Sequence, residues 1–135
     1  MNNPTGINLQ DTLCPCDSGQ QYQDCCKNLI EQVADAQTAL ALMRSRYTAF
    51  ARREEDYLRY SWHPDTCPEK IRLNAATKWL GLKIISTTDG GVDDTHGQVE
   101  FIARSKNQGK ANRLHEISRF VRSEGRWVYL DGETC

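Results

Sequence analysis

Long apolar runs are absent from this 135-residue sequence. A helix that crosses a membrane needs about 18 or more consecutive apolar residues. No stretch approaches that length, so we expect no membrane contact. Residues 1–13 also lack the basic region and the apolar stretch of a secretory signal. We therefore expect a cytoplasmic protein, in which cysteines serve more often as metal ligands or catalytic groups than as disulfides.

An excess of charge is absent as well, because the formal net charge is −1. Binding to nucleic acid usually depends on a surplus of lysine and arginine that displaces the counterions of the phosphates. The balance therefore argues against a nucleic-acid partner. One modest basic cluster has acidic neighbours and fits a solvated helical face better than an RNA contact. It consists of Arg44, Arg52, Arg53 and Arg59.

The sequence motifs that mark many enzymes are also missing. There is no nucleophile elbow, phosphate-binding loop, metalloprotease helix or dinucleotide fingerprint in the sequence. The absence favours a protein that is not an enzyme, and it leaves open an enzyme whose site is assembled from scattered residues.

Cysteines, in contrast, are concentrated in one short segment, CPCDSGQQYQDCC. Four thiolates suit a tetrahedral zinc ion, and a set in which protein fills every position indicates a structural site rather than a catalytic one. Two disulfides within this segment would be crowded, and a redox site would more typically use C-x-x-C near a βαβ unit. The segment predicts one structural zinc ion per chain, with oxidised or redox-active thiols and another soft metal as the alternatives. The four cysteines concerned are Cys14, Cys16, Cys25 and Cys26.

Helical periodicity dominates the middle of the chain. Thr38 is a plausible N-cap for a helix that runs to about Arg53, and its apolar stripe includes Arg46 and Tyr47. A second, short helix begins near Glu54 and stops before Pro64. Apolar spacing predicts a third helix over residues 66–81.

After residue 81 the apolar period changes from about 3.6 to 2. Alternating segments at residues 82–88, 98–105, 114–122 and 126–130 are separated by glycine-containing turns, which is typical of antiparallel strands. Three helices followed by four strands predict an α+β domain, with the helices packed on one face of a curved antiparallel sheet.

The cysteine segment resembles the SEC-C motif, a zinc-binding element named for the C-terminal tail of the SecA translocation ATPase. The run C-P-C-x-S-G-x-x-Y-x-x-C-C matches it nearly completely. The family usually has Gly where this chain has Asp17, and Asp also tolerates a left-handed backbone. By resemblance, the same four cysteines are the zinc ligands.

Other phrases resemble the YchJ family, in which a SEC-C motif accompanies a middle domain. They are LMRSRYTAF at residues 42–50, WHP at 62–64, WLGL at 79–82, and HEISRF at 115–120. The resemblance implies a zinc knob (residues 1–30) and a cone-like domain of nuclear transport factor 2-like or cystatin-like type (residues 31–135). It implies no established reaction.

A cone of this type can enclose a pocket, and polar residues among apolar neighbours are the candidates to line it. Arginine, histidine and tyrosine inside a cone can hold an acidic small molecule or act as acid and base. The alternative is that they are structural, with buried Arg46 paired to Glu116 or Asp131. The candidates are Arg46, Tyr47, His63, His115, Glu116 and Arg119.

Taken together, the sequence predicts a zinc-binding protein that acts as a protein-interaction module. The contact surface would be the knob loop at residues 17–24, with Gln20, Gln21 and Gln23 exposed. The alternative is an enzyme or small-ligand binder that uses the interior of the cone. The resemblance is also compatible with a homodimer formed through the open face of the sheet.

Overall fold

The computed structural model describes residues 12–135. A 3₁₀ turn (Tyr22–Asp24) leads into a one-turn helix α1 (Lys27–Ile30), followed by α2 (Ala39–Arg52) and α3 (Glu55–Tyr60). Four strands complete the chain: β1 (Thr77–Asp89), β2 (His96–Asn107), β3 (Lys110–Ser123) and β4 (Arg126–Thr134). They form one antiparallel sheet in the order β1-β2-β3-β4. The predicted α+β architecture of three helices on a four-stranded sheet is confirmed.

Helix α2 is the central helix of the fold, and its ends are those that the sequence predicts. Thr38 has an extended backbone and its hydroxyl accepts a hydrogen bond from Ala41 N at 3.1 Å. Arg53 ends the helix with a left-handed backbone, at φ 58°. Most of the stripe between these residues is buried against the sheet.

The third predicted helix, over residues 66–81, is wrong. Residues 66–76 form no helix, and Trp79 and Gly81 lie in β1, where they pair with Ser105 and Arg104 of β2. The helix-like spacing of Ile71, Ala75 and Trp79 is ambiguous over so short a stretch. Pairing with β2 along β1 outweighs this weak helical signal. The third helix of the fold is instead the one-turn α1, which precedes α2 in the chain.

Tight turns and irregular pairings give the sheet its shape. Two-residue turns at Gln108-Gly109 and Glu124-Gly125 have positive φ at both positions, as the type I′ hairpin requires. The register of β1 on β2 shifts after Trp79 and again after Ile84, and that of β3 on β4 shifts after Arg119. Such bulges bend and twist a sheet, so one face can wrap around α2.

The start of α2 approaches the sheet closely at two glycines. A Cβ atom on Gly97 would lie 2.5 Å from the Cα of Gly90, and one on Gly90 would lie 2.8 Å from the Cβ of Ala39. Ala39 N also donates to Gly90 O at 2.9 Å. These contacts hold the N-terminal end of α2 against the connection between β1 and β2.

Candidate metal centre and interior cavity

The sulfur atoms of the four clustered cysteines lie together. All four Sγ atoms are within 4.8 Å of one another. The Sγ of Cys25 is 3.6 Å from that of Cys16 and 3.8 Å from that of Cys26. Four thiolates bound tetrahedrally to zinc at about 2.3 Å would lie about 3.8 Å apart. The donor set and its spacing therefore fit a metal ion of this kind.

A tight loop brings the two cysteine pairs together. Cys14 N donates to Gln20 O at 2.8 Å, and Cys25 N donates to Tyr22 O at 3.1 Å. Ser18 Oγ lies 3.2 Å from the Sγ of Cys25. Between the pairs, Gly19 has φ 86°, a conformation that suits glycine. The local chain thus closes around the sulfurs through its own backbone bonds.

Asp17 occupies the position where the SEC-C pattern usually has glycine, and the structure gives its role. Its φ is 61°, which confirms the expected left-handed backbone. Its Oδ2 accepts a hydrogen bond from Leu82 N at 2.9 Å. Glycine offers no such acceptor. Asp17 therefore ties the cysteine loop to strand β1.

Helix α2 supplies the inner wall of the cysteine cluster. The hydroxyl of Thr48, which is fully buried, donates to Cys26 Sγ at 3.4 Å and lies 3.5 Å from Cys14 Sγ. One turn earlier, Arg44 Nη1 donates to Cys16 O at 2.7 Å. Sequence reasoning missed both residues; their only signal is the i, i+4 spacing that places them on one helix face. The cluster is part of the protein core rather than a separate appendage.

The sulfurs also perturb one another. Hydrogen bonding with Cys16 and Cys26 lowers the pKa of Cys14, and hydrogen bonding with Cys14 raises the pKa of Cys26. Burial raises the pKa of Cys25 to about 11. Adjacent negative charges repel, so the clustered sulfurs oppose one another's ionisation. A bound divalent cation would remove this repulsion and allow all four to ionise.

A cavity of about 250 Å³ lies between α2 and the inner face of the sheet. Most of its wall is apolar or aromatic. Three of the six predicted pocket residues line it, namely Arg46, Tyr47 and Glu116. Several other lining residues, including Trp62 and Trp79, are not predicted from the sequence. They come from separate segments of the chain and meet only in the folded structure.

Arg46 is the buried cation of this cavity, and only 4% of its surface is exposed. Its Nη1 donates to Leu58 O at 2.9 Å and to Ser61 Oγ at 2.7 Å. Its guanidinium carbon lies 4.7 Å from the ring centroids of both Trp62 and Tyr129. Burial lowers the pKa of Arg46 to about 10, so it remains charged at neutral pH.

The predicted ion pair between Arg46 and Glu116 or Asp131 does not form. Among residues 12–135, no carboxylate oxygen lies within 4.0 Å of the Arg46 nitrogens. Asp131 pairs instead with Arg119, and Glu116 Oε2 accepts a hydrogen bond from Ser118 Oγ at 2.6 Å. The near neighbours of the guanidinium are instead the rings of Trp62 and Tyr129.

The other three predicted pocket residues lie outside the cavity. His63 Nδ1 accepts a bond from Asp65 N at 3.0 Å, in the turn after α3. His115 and Arg119 project from the opposite face of β3, as alternation along a strand requires. Their partners there are Glu100 for His115, at 2.7 Å, and Asp131 for Arg119, at 2.6 Å.

His115 belongs to a second group of ligating atoms, on that outer face. Glu100, His115 and Cys135 each place one ligand atom within 4.8 Å of the other two. Cys135 is exposed and the other two are partly exposed. This group differs from the cysteine cluster in its mixed ligands and in its access to solvent. Any measurement of the metal bound per chain should therefore include a variant that removes this group.

No helix in residues 12–135 is long and apolar enough to cross a membrane. The cytoplasmic location and the homodimer expected from the sequence stay predictions.

Comparison with known families and curated proteins finds two matches along the chain and close relatives. Residues 38–132 match the family described as YchJ, middle NTF2-like domain, and residues 12–28 match the SEC-C motif. A UPF0225 protein of Bordetella pertussis is 49% identical over 126 residues, which cover 89% of this chain and 91% of the relative. A UPF0225 protein of Chromobacterium violaceum is 47% identical over 122 residues, covering 88% and 90%.

Two solved structures are similar as well. The solution structure of a SEC-C motif containing protein from Rhodopseudomonas palustris has a TM-score of 0.76 at 33% identity, covering 90% of this chain and 98% of that one. The crystal structure of a SEC-C motif containing protein from Psychrobacter arcticus has a TM-score of 0.70 at 29% identity, covering 87% and 80%.

Proposed function

Because the chain belongs to the YchJ (UPF0225) family and carries a SEC-C motif, we propose that it is a zinc-binding protein whose single structural ion holds a protein-contact surface in shape. The observation that carries the metal site is the convergence of four Sγ atoms within 4.8 Å of one another. Soft thiolate ligands in tetrahedral number favour zinc among the common cellular metals.

The ion has a structural role in this proposal. Four cysteines fill all four positions of a tetrahedral ion and leave none open for water or substrate. Three of them are buried. Closed sites of this kind contribute on the order of 10 kcal/mol of coupled binding and folding. The zinc therefore holds the cysteine loop in the shape that contacts α2 and β1. Thr48 of α2 bonds Cys26, and Asp17 of the loop bonds Leu82 of β1.

The surface held by the ion is the loop at residues 17–24. Gln20 and Gln23 are exposed there, whereas Gln21 is half-buried and its side chain bonds that of Thr12. Exposed amides can form directed hydrogen bonds to a partner, and a rigid loop lowers the backbone part of the entropy that binding costs. The contact surface that we propose is therefore narrower than the sequence predicts and excludes Gln21.

The experiment separates the surface from the fold. The double variant Gln20→Ala/Gln23→Ala should keep its zinc and its melting temperature but lose the proteins that crosslink to the wild-type chain in cells. The matched control is Gln98→Ala/Gln108→Ala, which changes two glutamines exposed elsewhere on the sheet. An unchanged set of crosslinked proteins in the first variant would contradict the protein-contact role while leaving the zinc site intact.

A further inference from the structure

The interior cavity contains charged groups whose hydrogen-bonding capacity is only partly used. A guanidinium group has five N–H donors. In Arg46, Nη1 makes two hydrogen bonds, and no partner among residues 12–135 accepts from Nε or Nη2. Arg46 Nε and Nη2 are not among the side-chain atoms that are both fully buried and without a hydrogen-bond partner. Because Arg46 lines the cavity, we infer that these unused donors are reachable from it.

An acceptor lies elsewhere on the same cavity wall. Glu116 uses Oε2 to accept from Ser118, and Oε1 has no hydrogen-bond partner among the described residues. Glu116 and Arg46 carry opposite charges, yet they do not approach to ion-pair distance. The cavity wall thus presents donors at one point and an acceptor at another, and the two do not satisfy each other.

The remaining wall is apolar and mostly aromatic. Tyr47 and Phe50 of α2 pack against Trp79 of β1, with ring centroids 5.6 and 6.3 Å from that of Trp79. Phe101 of β2 lies on the same wall. A volume of about 250 Å³ is below the roughly 300–1,000 Å³ of pockets for drug-sized ligands. The volume suits a compact molecule, and the aromatic walls suit one with a ring.

We propose that this cavity binds a small aromatic carboxylic acid. Its carboxylate accepts hydrogen bonds from the unused N–H groups of Arg46, its ring packs among the aromatic side chains, and a hydroxyl or similar donor at the far end reaches Glu116. A buried, half-satisfied arginine is costly, and an anionic ligand supplies the acceptors that the protein itself does not.

The probes are benzoate, 4-hydroxybenzoate and the methyl ester of each, titrated into the zinc-loaded full-length chain by calorimetry or ligand-observed NMR. The acids should bind at least about tenfold more tightly than their esters, since a charge-assisted bond is lost with the charge. The variant Glu116→Gln should weaken 4-hydroxybenzoate severalfold and leave benzoate unchanged. Equal affinity for acid and ester, or binding no tighter than millimolar for both acids, would overturn the proposal.

A pair of surface variants locates the binding. Leu114 lines the cavity and is 37% exposed, so it lies at the mouth, whereas Leu80 is 43% exposed and lies outside the cavity. Leu114→Trp should plug the mouth and reduce affinity for the acids at least about tenfold, while Leu80→Trp should not. Both substitutions are at exposed positions, so the fold should survive. Acid binding that is unaffected by Leu114→Trp would place the ligand elsewhere and overturn the proposal.

Discussion

The cysteine cluster and the interior cavity share helix α2 as a wall, yet their polar groups are arranged in opposite ways. In the cluster, the four sulfurs lie close together and Thr48 covers them from α2. In the cavity, one turn of the same helix places Arg46 among aromatic rings, apart from any carboxylate. The sulfurs of the cluster converge on one point, whereas Arg46 and Glu116 in the cavity wall do not form an ion pair.

This difference suggests that the cysteine cluster contributes mainly to the stability of the fold and the cavity mainly to ligand binding. A set of groups that converge on one point can hold an ion permanently and gives rigidity in return. Groups that are buried without touching one another weaken the fold and are retained where a ligand completes them. Substitutions in the cluster should therefore act mainly on stability and metal content, and conservative substitutions around the cavity should act mainly on ligand binding.

The largest effect is expected from Cys26→Ser. Loss of one buried ligand should release the zinc and destabilise the fold by at least about 3 kcal/mol, because much of the binding energy of the ion is folding energy. Thermal unfolding and zinc analysis of the purified protein measure both. Cys67→Ser, a cysteine outside the cluster, is the control and should change neither quantity; equal effects of the two substitutions would refute the assignment.

The next largest effect is expected from Arg46→Ala, which should lower the free energy of unfolding by about 3 kcal/mol. The substitution enlarges the cavity and leaves the acceptors Leu58 O and Ser61 Oγ without their donor. Denaturant unfolding measures the change. Arg119→Ala is the matched control, because the ion pairs of Arg119 lie on the outer face of the sheet and are partly open to solvent, so its removal should alter stability little. Zinc content should stay unchanged in both variants.

Thr48→Val should weaken the metal site without unfolding the chain. The side chain keeps its shape but loses the hydroxyl that donates to Cys26 Sγ. Outer groups of this kind typically change metal affinity by roughly 10- to 100-fold when removed, and competition with a zinc chelator measures it. Thr48→Ser retains the hydroxyl and should remain close to wild type. If Val and Ser variants released zinc equally, packing rather than the hydrogen bond would be responsible.

The smallest effects are expected at Asp17, where three substitutions separate backbone from side chain. Asp17→Asn keeps an acceptor for Leu82 N and tolerates the left-handed backbone, so it should be nearly neutral. Asp17→Gly loses the acceptor and should cost about 1 kcal/mol. Asp17→Ala loses both the acceptor and the tolerance of a left-handed backbone, and should lower the free energy of unfolding by about 2 kcal/mol. Thermal unfolding gives the order; a Gly variant as stable as wild type would show that the bond to β1 contributes nothing.

The parts of the molecule that sequence reasoning predicted are those with local signals. The four cysteines that converge lie within one short segment with a recognisable pattern, and α2 has a cap and a periodic stripe over fourteen residues. Trp79 was misplaced because three apolar residues at helical spacing resemble a helix, while the pairing that makes β1 a strand comes from β2, farther along the chain. Long-range pairing of this kind leaves little mark on a single strand.

The cavity was only half predictable, for a related reason. Alternation along β3 correctly separates His115 from Glu116, and the structure shows that Glu116 is the inward residue. That Arg46 packs against both Trp62 and Tyr129 depends on the turn after α3 and on the parallel bridge of Trp62 to β4. No spacing in the sequence joins those three residues.

The central claim is that the four clustered cysteines hold one structural zinc ion. Native mass spectrometry of freshly purified protein, before and after gentle chelation, tests it most directly, with His115→Ala as the control for metal held on the outer face. The account predicts one zinc per chain in both proteins, with a more unfolded charge-state distribution once the ion is removed. A metal-free chain whose cysteines have lost hydrogen in pairs, as disulfides, would contradict it.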